Sequence, residues 1–144
     1  MQVEPIKSFE HIDRIKALLQ SNKKLKLLFI MSINNDIEIR DMLNIKIKDL
    51  DNYNNLEEII IKPGNNEIIL KLNKEVKDGI NDYFNSITAI PDYYLFKSRK
   101  GKNYPLSTHA VMNYVKLWCA QVNLEGNFGA ASLRKTYKFH YFPE

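Results

Sequence analysis

The chain has 144 residues, 44% hydrophobic and 26% charged, with a formal net charge of +4. That balance suits one domain with its own core, and the longest apolar stretch, 25–33, falls short of the roughly 20 residues of a membrane span. Glu4 and Glu10 interrupt any leader pattern, and Cys119, the single cysteine, excludes an internal disulfide, so a cytoplasmic protein with no membrane partner is expected.

Ser8 reads as an N-cap, and Phe9, Ile12, Ile15, Leu18 and Leu19 recur at helical spacing, which predicts an amphipathic helix over 9–20. Residues 25–33 read as a second, buried helix. Asn34-Asn35-Asp36 is a break rich in turn formers. Ile37, Ile39, Met42 and Leu43 start a third helix, ending near Asn44.

Two β-branched runs, 58–62 and 67–72, flank Pro63-Gly64-Asn65-Asn66 and predict a hairpin. Asn73 caps a helix carrying Val76, Ile80, Tyr83 and Phe84, and Pro91 stops its continuation. Residues 93–96 read as a short strand and 97–102 as a loop. Ser107 caps the longest helix, about 108–122. Gly126 and Gly129 flank a loop, and Ser132 opens the last helix.

Charge is unevenly spread. Residues 1–96 hold 13 Lys+Arg against 15 Asp+Glu, whereas 97–144 hold 8 against 2. The loop alone places Lys97, Arg99, Lys100 and Lys102 within six residues, as much positive charge as the whole chain's net. One reading is a solvated turn. The other is contact with phosphates, supported by Lys116, Arg134, Lys135 and Lys138 in the same third of the chain. Such contacts give salt-dependent affinity with little sequence preference. Ser107, Thr108 and His109 open the long helix, where backbone N–H groups favour phosphate. The tyrosines Tyr93, Tyr94, Tyr104, Tyr114, Tyr137 and Tyr141 fit core or rim positions better than base-stacking ones. No phosphate-binding glycine loop occurs. His11, His109 and His140 lie far apart with no zinc-ligand spacing, so neither a metal nor a small-molecule cofactor is expected.

Four stretches, in order, carry a resemblance: INNDIEIRDMLNIKIKDL, IIIKPGNNEIILKLNKEVKDGINDYF, YLFKSRKGKNYPLSTHAVMNYVKLWCAQVNLEG and GNFGAASLRKTYKFHYF. They resemble, respectively, four segments of tyrosine recombinases (phage integrases). These are the one with the first catalytic arginine, the hairpin with the catalytic lysine, the strand, basic loop and long helix, and the His-x-x-Arg segment. The resemblance runs from about Glu4 onward. It implies an α+β, mainly α catalytic-like domain with a small antiparallel sheet, occupying 1–144 without the family's C-terminal tyrosine segment. It also implies double-stranded DNA as partner, DNA integration or recombination as the process, and a mobile element as the source.

Family chemistry is phosphoryl transfer from a tyrosine nucleophile, with fixed cations aimed at the developing charge. Carried over residue by residue, the second arginine matches Arg134 and the hairpin lysine Lys62. The first arginine's place is taken by Glu38, and the first position of His-x-x-Arg is Ala131. The late His/Trp and the tyrosine would fall beyond residue 144, and His140 matches a non-catalytic position. Losing one charge-stabilising donor raises a barrier by about 3–4 kcal/mol, and Glu38 adds repulsion. Arg40 follows Glu38 by two residues, about 200° on a helix, and is expected to point away from the site. The expected outcome is a DNA-binding domain with vestigial Arg134 and Lys62, unable to cleave alone. Its DNA contacts are expected from Lys97, Arg99, Lys100, Lys102, Ser107, His109 and Lys135. The alternative is a protein-interaction module that docks on intact recombinase subunits.

Overall fold

Short polar side chains set the helix starts. Ser8 Oγ accepts from the His11 N–H at 3.4 Å and opens α1 (Phe9–Leu18); Asn22 Oδ1 accepts from Leu25 at 3.1 Å and opens α2 (Lys23–Ile33). Each cap covers one of the amides a helix start leaves without a partner. α3 (Ile39–Leu43) is a single short turn. Two 3-10 turns at 47–50 and 53–55 lead into β1 (Glu58–Ile61) and β2 (Ile68–Lys71). Asn73 caps α4 (Lys74–Asn85) through the Val76 N–H, and Ser107 caps α5 (Thr108–Gln121) through that of Ala110, both at 3.0 Å. α6 (Ala131–Tyr141) is last. The computed structural model describes residues 2–141; Phe142, which ends the last segment quoted above, lies outside them.

α2 is apolar on nearly all sides, the pattern of a fully buried helix. Leu27, Leu28, Phe29 and Met31 are wholly buried, and α2 packs on α1, α4 and α6. Phe29 meets Trp118 of α5 edge to face, 5.8 Å between ring centres. Burying each such large side chain contributes about 1.5–3 kcal/mol.

β1 and β2 pair antiparallel, with Ile59 opposite Leu70 and Ile61 opposite Ile68. Period-two alternation buries Ile61 and Leu70 and leaves Ile60 and Ile69 on the outer face. Asn35 ties this hairpin to α2. Its Nδ2 donates to the carbonyls of Met31 (3.1 Å) and Lys71 (3.3 Å), and its Oδ1 accepts from the Lys71 N–H at 2.7 Å.

The N-terminal segment lies along α6. The Ile6 N–H donates to Thr136 Oγ1 at 2.9 Å, the Glu4 N–H to the Asn127 carbonyl at 2.8 Å, and Lys135 Nζ to the Val3 carbonyl at 2.9 Å.

Several elements differ from the sequence reading: α2 starts earlier, at Lys23, the strands shorten to 58–61 and 68–71, and α6 starts at Ala131. α1 stops at Leu18. Ile37 stays outside α3, because Glu38 is extended (φ −62°, ψ 143°) and the helix begins at Ile39. Residues 93–96 are no strand. Lys46 and Tyr94 form only an isolated bridge, because the Ile45 and Tyr93 N–H groups that would complete the ladder donate instead to the Met42 (3.3 Å) and Ile90 (3.0 Å) carbonyls. A second isolated bridge, Lys97 to Pro105, closes the basic loop, with the Ser98 N–H donating to the Tyr104 carbonyl (2.6 Å) and the Leu106 N–H to that of Phe96 (2.9 Å).

Candidate functional site

Two neighbouring clefts meet at the head of α5: Thr108 lines one and Ser107 the other. The first, of about 400 Å³, is walled by Glu38, Ile39, Arg40, Ala131 and Arg134 besides Thr108. α6 delivers Arg134 to it, Glu38, extended ahead of α3, lines it, and Asp36 reaches Arg134 from beside it. Arg134 Nε donates to Asp36 Oδ1 at 2.7 Å, and its Nη1 lies 3.7 Å from Glu38 Oε1. Arg40 Nη2 is 3.7 Å from the other oxygen of Glu38, and Lys138 Nζ is 3.9 Å from Asp36. Glu38 therefore sits between two guanidiniums.

This corrects the expectation that Arg40 points away. The rotation of about 200° presumed a helix running through both positions. Glu38 precedes the helix, so the two-residue step is not a helical one, and Arg40 lines the same cleft as Arg134. The cations are thus present but already paired. Ala131, which also lines the cleft, brings no titratable group to it. Lys62 is exposed just past β1 and is not among the residues lining this cleft. Among the described residues no tyrosine lines it either: Tyr137 is buried, and Tyr141 donates to Asn34 Oδ1 at 3.3 Å.

The second cleft, of about 590 Å³, is lined by Arg99, Lys100, Tyr104, Ser107 and Tyr114, and on its far side by Lys24. Lys24 Nζ donates to the Lys97 carbonyl at 2.7 Å, joining α2 to the basic loop across 73 residues. Burial first, then Arg99 and then Lys97, push its ammonium below its ordinary pKa. Gly101 (φ +68°) shapes the loop; a Cβ there would lie 2.6 Å from the Tyr104 ring. Lys97 Nζ lies 5.6 Å from the centre of the Tyr93 ring. Lys102 and His109 are exposed nearby in the chain but are not among the lining residues. Lys135 stands apart, held by the Val3 carbonyl.

The structure brings Arg99, Lys100 and Ser107, three of the residues singled out from the sequence, to one cleft. It adds Lys24, Asp36 and Arg40, which the sequence reading did not select. Lys24 carried no local signal, because its partners lie in a loop distant in sequence. Among the described residues no cluster of His, Cys, Asp or Glu could hold a metal ion, and no helix is long and apolar enough to cross a membrane.

The chain is 33% identical over 141 residues to the probable integrase/recombinase YoeC of Bacillus subtilis (strain 168), a match spanning 97% of this chain and 75% of that protein. The chain belongs to the tyrosine recombinase (integrase) family. Its fold is similar to that of XerA recombinase, with a TM-score of 0.75, 16% identity, 97% of this chain covered and 50% of the other. It is also similar to the Tn1549 transposon integrase in complex with circular intermediate DNA, with a TM-score of 0.69, 13% identity and coverages of 94% and 51%. XerH site-specific recombinase bound to its difH substrate gives a TM-score of 0.63, 17% identity and coverages of 100% and 46%. The chain therefore spans about half the length of these solved recombinases. No family model matches it.

Proposed function

We propose that this domain binds double-stranded DNA within a site-specific recombination or integration process in the cytoplasm, and that it does not cleave DNA alone. The observation that carries the reading is the contrast between the two clefts. Arg134 and Arg40 are paired with Asp36 and Glu38, and among the described residues no tyrosine lines their cleft. Lys24, Arg99 and Lys100 line their cleft without an ion-pair partner among the described residues. A paired site is poor at stabilising a phosphoryl transition state, while an unpaired one attracts phosphate. The Tn1549 integrase and XerH relatives, whose structures contain DNA, support the same partner. In this reading Arg134 and Lys62 are vestigial catalytic positions.

Two measurements test it. Duplex affinity should fall steeply as salt rises; affinity that is flat with salt rejects DNA binding. Incubation with nicked and supercoiled DNA should leave no covalent protein–DNA adduct, and an adduct rejects the loss of cleavage.

A second reading, docking on intact recombinase subunits, is favoured by one feature. Phe9 and Phe139 are 67% and 41% exposed and both pack on His140, which forms an apolar surface between α1 and α6. Recovery of a purified recombinase subunit, with no DNA bound by the chain, would favour it.

A further inference from the structure

We propose that Lys24, in the first turn of α2, completes a phosphodiester-binding notch whose other walls are Arg99, Lys100 and the N-terminus of α5. The inference rests on the DNA-binding reading and deepens it, because it assigns a backbone contact to α2, outside the basic third of the chain.

Three independent features converge on this notch. The first is charge. Lys24 is fixed at the cleft wall by its 2.7 Å bond to the Lys97 carbonyl, so it cannot swing out into solvent without losing that bond. Arg99 and Lys100 line the same cleft, and none of the three has a carboxylate within ion-pair distance among the described residues. Lys24 is half-buried, while Arg99 and Lys100 are exposed beside it; with no counter-ion among the described residues, the three repel one another until an anion enters. The second is the helix start. α5 is 14 residues long with no acidic residue in its first turn, and Ser107 uses its side chain on the Ala110 N–H and its carbonyl on the Val111 N–H. Ser107 and Ala110 of this helix start line the cleft; the adjoining Thr108 and His109 amides have no acceptor among the described residues, although Thr108 lines the arginine cleft. The third is shape. The cleft of about 590 Å³ is walled on one side by α2 and on the other by the loop, with Tyr104 and Tyr114 along it.

Three cations exceed the charge of one phosphate group, so the matching ligand is a run of backbone phosphates. Lys24 would then clamp the strand from α2 while the loop holds its other side. The Lys24 ammonium, lowered in the free chain, is restored when an anion sits beside it.

The test uses the full 144-residue chain, a mixed-sequence duplex and fluorescence anisotropy over a range of salt. Lys24→Gln should reduce the slope of log affinity against log salt by about one unit, the loss of one phosphate contact, and Lys24→Arg should retain the slope. Circular dichroism of Lys24→Gln shows whether the fold is kept. In parallel, the Lys24 side-chain resonance is followed by NMR with the duplex and with inorganic phosphate at equal phosphate concentration. A shift with the duplex and little with inorganic phosphate is expected. A sloping wild type with an unchanged Lys24→Gln slope, or a Lys24 resonance unmoved by saturating duplex, overturns the notch and leaves the DNA reading standing. An equal response to inorganic phosphate overturns the polymer ligand. A wild type whose affinity is flat with salt overturns both.

Discussion

Arg134 Nε donates to Asp36 Oδ1 at 2.7 Å across 98 residues of sequence, and this bond sets the chemical state of the cleft that Arg134 and Arg40 line. A guanidinium has five donors, but its strongest anion-binding geometry is the bidentate one. Asp36 takes one of those donors and Glu38 lies close to another, so a phosphate would have to compete with two fixed carboxylates.

Removing that competition should strengthen DNA binding. Asp36→Asn with Glu38→Gln should raise duplex affinity at low salt by about 1 kcal/mol, roughly fivefold, because exposed ion pairs have about that strength. Arg40→Ala in the same background should return the affinity toward wild type. Anisotropy titrations check both changes, and unchanged affinity in the double variant would mean that Arg134 and Arg40 do not meet the duplex.

The caps at Ser8, Asn73 and Ser107, the alternation of the hairpin and the all-round apolar character of α2 were legible in the sequence because each depends on neighbours a few residues away. In the sequence Asp36 is only part of a turn-rich break, since its partner is on α6. Asn34 and Asn35 belong to the same break, yet both are buried connectors between α2 and the elements around it. Arg40 lies in the cleft for a local reason: the helical periodicity that begins at Ile37 overruns the true start of α3, Ile39, by two residues. Four recombinase segments in order identified the fold, and the ion pairs that set the state of the cleft came only from tertiary contacts.

Asn35→Ala should be among the most destabilising polar substitutions. It removes three hydrogen bonds and leaves the Lys71 N–H without its acceptor in a partly buried place. A loss of about 2–3 kcal/mol is expected in urea unfolding, the usual penalty for stranding buried polar groups. A loss under half that size would show that water replaces the side chain.

Gly101→Ala should cost about 1 kcal/mol, because φ +68° strains any other residue and the new Cβ would strike the Tyr104 ring. Tyr104 is largely exposed and can move aside, so the effect should appear as a weaker grip on duplex more than as a large fall in melting temperature. Melting curves and binding titrations on the same variant separate the two effects.

Stability should fall in alkali. Burial pushes the Cys119 thiol up to about 11 from its ordinary 9, so the folded chain holds a proton that the unfolded chain releases. The contribution is intact below about pH 9 and is lost as pH rises toward about 11. Burial of Tyr83 raises its hydroxyl as well and acts in the same direction. Urea midpoints across this range should drop, and Cys119→Ala should flatten part of the slope. In the native state the thiol should react slowly with alkylating reagents; fast labelling would contradict its burial.

The most direct test of DNA binding through the basic cleft is duplex affinity across ionic strength for three forms of the chain: wild type, Arg134→Ala, and the quadruple Lys97→Ala, Arg99→Ala, Lys100→Ala, Lys102→Ala. Steep salt dependence in the wild type, nearly the same in Arg134→Ala, and a slope shallower by about 3–4 units in the quadruple variant are expected. A quadruple variant that binds with the wild-type slope would contradict the account.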